Sequence, residues 1–144
     1  MTILVTGASG LVGSAFVRAA ARRGHRVIGF THSHQGELEG LTQRVRVDLA
    51  DEGATTSAVL DVFPEAIVNC AAVSVPERCE ADPARAQALN VALPALLGRL
   101  AHHVSARYVH LSSEQVFDGA RTTPYAAGDT PRPINLYEIG RAHV

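Results

Sequence analysis

Thr6-Gly7-Ala8-Ser9-Gly10-Leu11-Val12-Gly13 joins an apolar, β-branched run, Thr2 to Thr6, to an amphipathic pattern that continues from Leu11 to Arg23. A strand that enters a G-x-x-G-x-x-G turn and leaves it as a helix is built to hold a dinucleotide. Gly7 permits the tight turn, Gly10 lets a pyrophosphate approach the backbone, and Gly13 allows the helix to pack closely on the strand. The helix N-terminus adds unpaired N–H groups and a partial positive charge. A glycine-rich turn without a ligand is the alternative, and the position between strand and helix at the start of the chain argues against it.

Outward from this turn the same alternation repeats. Val12, Ala15, Phe16, Ala19 and Ala20 form the expected inward face of the first helix, with Arg18 and Arg22 outside. His25 to Thr31 reads as a second strand and Arg44 to Val47 as a third. Ala58, Val59, Val62 and Phe63 make an amphipathic stripe that stops at Pro64, and Ala66 to Asn69 is a fourth strand. Asp82-Pro83 is an N-cap followed by proline at the first helical position. It opens a helix with Ala86, Leu89, Leu93, Leu97 and Leu100 inward and a bend expected at Pro94. Arg107 to Ser112 is the fifth strand, followed by a Pro- and Gly-punctuated loop up to Leu136. Strands alternating with helices predict an α/β, Rossmann-like, doubly wound parallel sheet, truncated after the fifth strand and with one face near it left bare.

The 144 residues fit one domain, and 47% apolar against 19% charged residues at a mean hydropathy of +0.08 describes a chain that folds around a core. Thirteen Lys+Arg against fourteen Asp+Glu give a formal charge of -1, which offers no footprint for nucleic acid or for an anionic membrane. Two cysteines, Cys70 and Cys79, are too few for a disulfide scaffold and fit no zinc or redox spacing. With no signal peptide and no apolar run of membrane-spanning length, the expected location is the cytoplasm.

NAD-preferring folds carry an acid about 20 residues after the glycine turn to bond the ribose 2′-OH. Here Phe30-Thr31-His32-Ser33-His34 has neither that acid nor an arginine to hold a 2′-phosphate. The missing carboxylate favours NADP(H), with NAD(H) still open. His32 and His34 are phosphate contacts or plain solvent-facing residues.

These features, taken in order along the chain, resemble the extended short-chain dehydrogenase/reductase family, and within it the dTDP-4-dehydrorhamnose reductase-like sugar-nucleotide reductases. The resemblance extends to Tyr137. It is carried by the glycine turn, Asp48-Leu49, Asn69-Cys70-Ala71-Ala72, the segment Val75 to Pro83 with Asn90 after it, Ser112 to Gly119, Pro124-Tyr125, and Asp129 to Pro133. It implies that Gly7, Gly10, Leu11, Val12, Gly13, Asp48, Leu49, Cys70, Ala71, Ala72 and Tyr137 bind the cofactor, with Asp48 and Leu49 at the adenine. On spacing alone Asp48 is equally a turn or N-cap aspartate, and Cys79 reads as a packed residue. The resemblance also implies a catalytic pair, Ser113 and Tyr137. The tyrosine exchanges a proton at the substrate oxygen, the serine hydroxyl bonds that oxygen, and the nicotinamide exchanges the hydride. Read without the family, Ser113 is a turn or N-cap serine and Tyr137 a packed surface aromatic.

A phenol working at neutral pH needs its pKa lowered from ~10 by about three units, worth ~4 kcal/mol. The family supplies a lysine four residues after the tyrosine, where this chain has Arg141, and a glycine directly after it, where this chain has Glu138. A guanidinium lowers a phenol's pKa by charge but does not relay a proton as an ammonium does. Both departures fall within Glu138-Ile139-Gly140-Arg141-Ala142-His143-Val144, which matches the in-frame translation of a common sequencing adapter.

Residues 1–137 therefore read as an incomplete nucleotide-binding domain and residues 138–144 as a non-native tail, with the family's C-terminal substrate domain absent. The resemblance implies an NAD(P)H-dependent reductase of a 4-keto deoxysugar nucleotide, the fragment itself being inactive. An epimerase or dehydratase on the same scaffold is one alternative. A non-catalytic NADP-binding subunit, like the regulatory subunit of methionine adenosyltransferase, is another. The implied partners are a nucleotide-sugar substrate and, for the full-length form, a second copy of the chain. No metal site is expected.

Overall fold

A computed structural model of the chain describes residues 1–113 and 116–133. Five parallel strands form one sheet in the order β3-β2-β1-β4-β5. They are β1 (Thr2–Thr6), β2 (Arg26–Thr31), β3 (Gln43–Arg46), β4 (Ala66–Asn69) and β5 (Arg107–His110). The helices are α1 (Leu11–Arg22), α2 (Glu52–Val62), α3 (Pro76–Ala81), α4 (Pro83–Gln87) and α5 (Leu93–His103). The expected doubly wound parallel sheet is present. Among the described residues no helix is long and apolar enough to cross a membrane.

Each sheet face has its own core. On one, Leu4, Ile28, Phe30 and Ile67 pack against Leu93, Leu97 and Leu100. On the other, Ile3, Val5, Val27 and Val68 pack with Val17 and Ala20 of α1. β1, β2 and β4 have apolar side chains on both faces because both faces are covered, as parallel sheets require.

Three expected faces are corrected. In α1 the buried residues are Gly13, Val17 and Ala20, whereas Val12 and Ala15 are exposed and Phe16 and Ala19 only half-buried. Arg18 is half-buried rather than fully outside. The cause is local: Gly13 presses on Gly7, where a Cβ would meet the Gly7 carbonyl oxygen at 2.2 Å, and this contact fixes which side of α1 faces down. In α2 Val59 is buried and Ala58 and Val62 pack half-buried against the core as expected, Thr55 joins them, and only Phe63, 67% exposed, departs from the expected stripe. Phe63 is the C-cap of α2 and takes φ 45° in the left-handed region, so it lies past the last helical residue rather than on the stripe.

At Pro94 the helix does not simply bend. Ala88–Ala92 form a π turn, with the Leu93 N–H bonded to the Ala88 carbonyl five residues back, and α5 begins immediately after it. Proline has no N–H to give, and the widened turn takes up the misfit ahead of it. Ala86, Leu93, Leu97 and Leu100 are buried as expected and Leu89 is half-buried. Asp82 caps α4, its carboxylate accepting from the Arg85 N–H at 3.0 Å. The short α3 had no apolar periodicity to announce it, since Cys79 is its one buried residue among those whose burial is described.

Candidate functional site

The strand order reverses between β1 and β4, and open α/β sheets bind ligands at the carboxyl ends of the strands beside such a reversal. A cavity of about 660 Å³ lies there. Gly7, Gly10, Leu11, Val12 and Gly13 form one wall, and Asp48 with Leu49 and Cys70 with Ala71 and Ala72 form others. All ten residues expected from sequence at the cofactor, apart from Tyr137, thus meet in one space.

The glycine turn is tied to β4. Gly7 adopts φ +63°, and a Cβ on it would lie 2.8 Å from the Cys70 carbonyl and the Ala71 nitrogen. Only glycine combines that φ with that approach. Gly10 is the opposite case: a Cβ would meet only the Gly7 oxygen, at 3.2 Å, so its outer side is open. It precedes α1 without a side-chain cap, and the first turn carries no acid. Uncapped N–H groups with no nearby carboxylate suit an anion. Leu11 is 90% and Val12 55% exposed, an apolar lip at the cavity mouth. This cradle fits the pyrophosphate of a dinucleotide.

Buried polar side chains brace the loop after β4. Thr6 Oγ1 donates to Asn69 Oδ1 at 2.5 Å, the same oxygen accepts the Ala71 N–H at 3.2 Å, and Asn69 Nδ2 donates to His110 Nδ1 at 3.1 Å. Asn90, on the π turn, accepts the Val73 N–H at 2.9 Å and donates to the Val73 carbonyl at 3.1 Å, fixing the loop after β4. Burial pushes the Cys70 thiol above its ordinary pKa, so it lines the cavity as a neutral, weakly polar group.

Asp48 stands at the opposite end. The Ala50 N–H holds its carboxyl below the usual range, aided by Arg85 at 3.4 Å and His32 at 3.6 Å. Both partners also line the cavity. Arg85 escaped the sequence reading because no spacing connects residue 85 to residue 48. The only signal was its place in the first turn of a capped helix.

Ser112 reaches the cavity and Ser113 is the next residue, half-buried, its carbonyl accepting the Val116 N–H at 3.3 Å. Tyr137, Glu114 and the tail 138–144 lie outside the described residues. Among the described residues no group of three or more metal-ligating side chains is present.

The family model described as the RmlD substrate binding domain matches residues 1–143. The chain belongs to this family. The dTDP-4-dehydrorhamnose reductase of Mycolicibacterium smegmatis is 33% identical over 136 residues, covering 94% of this chain and 37% of that one. Methionine adenosyltransferase 2 subunit beta of Xenopus laevis is 35% identical over 135 residues, covering 93% and 38%. The crystal structure of a hypothetical dTDP-4-dehydrorhamnose reductase from Sulfolobus tokodaii superposes with a TM-score of 0.86 at 30% identity, covering 98% of this chain and 49% of that one. The chain spans less than half the length of these relatives, and the sugar-nucleotide reductase resemblance seen in its motifs is borne out.

Proposed function

We propose that this chain is the cofactor-binding part of an NAD(P)H-dependent reductase acting on the 4-keto group of a nucleotide-linked deoxysugar. The observation that carries the reading is the meeting of the glycine turn, Asp48-Leu49 and Cys70-Ala71-Ala72 around one cavity at the strand reversal. In this reading the N–H groups at the start of α1 hold the pyrophosphate, and Asp48 with Leu49 takes the adenine end. Cys70, Ala71 and Ala72 wall the path toward Ser112 and Ser113. A bound nicotinamide would supply the hydride. The Ser113 hydroxyl bonds the substrate carbonyl oxygen, and the Tyr137 phenol delivers its proton. NADP(H) is the favoured cofactor because β2 ends in Thr31-His32 without an acid. Arg141 stands where the family has its lysine, so a guanidinium rather than an ammonium lies four residues after Tyr137.

Calorimetry of the chain with NADPH, together with NADPH consumption by the product of the complete reading frame on a dTDP-4-keto-6-deoxysugar, tests the proposal. Binding and net cofactor oxidation are expected. Product without net oxidation replaces the reductase by an epimerase, and absence of binding to either pyridine nucleotide overturns the reading.

A second reading is favoured by the 35% identity to the methionine adenosyltransferase subunit. There the same cavity binds NADP without chemistry. Nucleotide binding with no turnover by the complete product, and co-purification with a methyl-donor synthetase, would select it.

A further inference from the structure

We propose that Arg46, reaching across from β3 to the tip of β2, selects a 2′-phosphorylated nicotinamide cofactor over the unphosphorylated one. The inference rests on the cofactor reading of the same cavity and adds to it the residue that decides between the two nucleotides. In dinucleotide folds the group at the ribose 2′-position is read at the carboxyl end of the second strand. The residues that follow β2 in this chain, His32-Ser33-His34, contain no arginine. The charge comes instead from the neighbouring strand. β2 and β3 pair in parallel with Thr31 opposite Arg46, about 4.8 Å apart, the spacing of neighbouring strands. Arg46 Nε–H donates to the His32 carbonyl at 3.0 Å, which anchors the guanidinium against the backbone of a residue that lines the cavity.

The anchor occupies only Nε. Among the described residues no carboxylate forms an ion pair with Arg46, and the residue is exposed; Arg46 is not itself part of the cavity wall but is bonded to His32, which is. The neighbouring cations are differently engaged. Arg85 is held on Asp48 at 3.4 Å, and Arg44 NH1 donates to the Gly36 carbonyl at 2.6 Å, within the loop rather than at the cavity. Asp48, the carboxylate at this edge, is paired with the Arg85 guanidinium at 3.4 Å, which offsets its repulsion of a phosphate. A guanidinium anchored through one N–H with its other donors free is the side chain best suited to a phosphate dianion.

The test is titration of the 144-residue chain with NADPH and with NADH, monitored by calorimetry, for the wild type, Arg46→Ala and Arg46→Gln. Gln keeps an N–H donor for the His32 carbonyl while removing the charge, which separates loop anchoring from phosphate binding. NADPH is expected to bind the wild type at least about 10-fold more tightly than NADH. Both variants should weaken NADPH by about 10- to 100-fold and leave NADH within about twofold, the range of a lost charge-assisted contact. An unchanged NADPH-to-NADH ratio in both variants overturns the role of Arg46 while leaving the cofactor reading intact. Loss of both nucleotides in Ala but of neither in Gln assigns Arg46 to loop anchoring and also overturns it. A wild type that binds neither nucleotide brings down the cofactor reading itself, and this inference with it.

Discussion

β1 and β5 lie two places apart in one parallel sheet and are built differently. From Ile3 to Thr6 every residue of β1 is buried, whereas β5 alternates exposed and half-buried residues from Arg107 to His110. Around β1 the geometry is set by backbone against backbone, with Gly7 against Cys70 and Gly13 against Gly7. Around β5 and the loop that follows, it is set by polar side chains. His110 accepts from Asn69, Tyr108 donates to the Pro94 carbonyl at 3.1 Å, Tyr125 donates to Asp118 at 2.7 Å, and Arg121 pairs with Asp129 at 2.6 Å. Backbone contact leaves no room to adjust, while side-chain links tolerate rearrangement. The wall proposed to grip a pyrophosphate is thus fixed by backbone contacts, whereas β5, which leads to Ser113, is tied to its neighbours by side-chain links.

The largest effect expected from this contrast is that of Gly13→Ala. Its Cβ would fall 2.2 Å from the Gly7 oxygen, and relief requires moving α1 off β1. A loss of about 3 kcal/mol is expected, the upper part of the usual overpacking range. Gly10→Ala, meeting one oxygen at 3.2 Å, should stay within about 1 kcal/mol of the wild type. Urea unfolding of both variants checks this, and equal losses would erase the distinction between the two glycines.

A smaller effect compares like with like in the two strands. Val5 is fully buried and Val109 is 49% exposed. Val5→Ala should cost about 2 kcal/mol, and Val109→Ala should change stability by less than about 0.5 kcal/mol. A similar cost for both would mean that β5 is as tightly covered as β1.

The gentlest probe is alkali. Burial pushes the Tyr108 phenol up to about 12 from the ordinary 10.0. A phenol whose pKa is higher in the folded chain than in the unfolded one contributes its stabilisation in full below pH 10. That contribution is lost as pH rises through about 12. Ultraviolet titration of phenolate should show one tyrosine ionising last, and Tyr108→Phe should remove that late step. A Tyr108 that titrates near 10 would place its ring in solvent.

Much of the sheet was legible because β1, β2 and β4 are short β-branched runs between breakers, a pattern that burial on both faces imposes on the sequence itself. β4 was read at Ala66 to Asn69, the limits it has in the structure, because Pro64-Glu65 before it and Cys70 after it leave little freedom. The cavity wall at the glycine turn was legible for the same reason, since glycine spacing and backbone approach are one constraint. What escaped was non-local. The roll of α1 depends on a contact between Gly13 and Gly7 that periodicity does not encode. The π turn at Ala88–Ala92 is a response to Pro94 within a packed helix. The Asp48–Arg85 and Arg46–His32 contacts join residues 37 and 14 positions apart, and only the fold brings them together.

The order β3-β2-β1-β4-β5 also bears on how the chain reaches this state. The first of the five strands in chain order is the one that ends in the middle of the sheet. Its partner on one side follows within a helix and a turn, but its other edge stays open until Ala66–Asn69 has been made. The Thr6–Asn69 bond joins residues 63 positions apart, so closing the β1–β4 seam carries a large cost in chain entropy. Until that seam closes, Leu4 and Val5, both fully buried in the folded chain, remain without the strand that seals them.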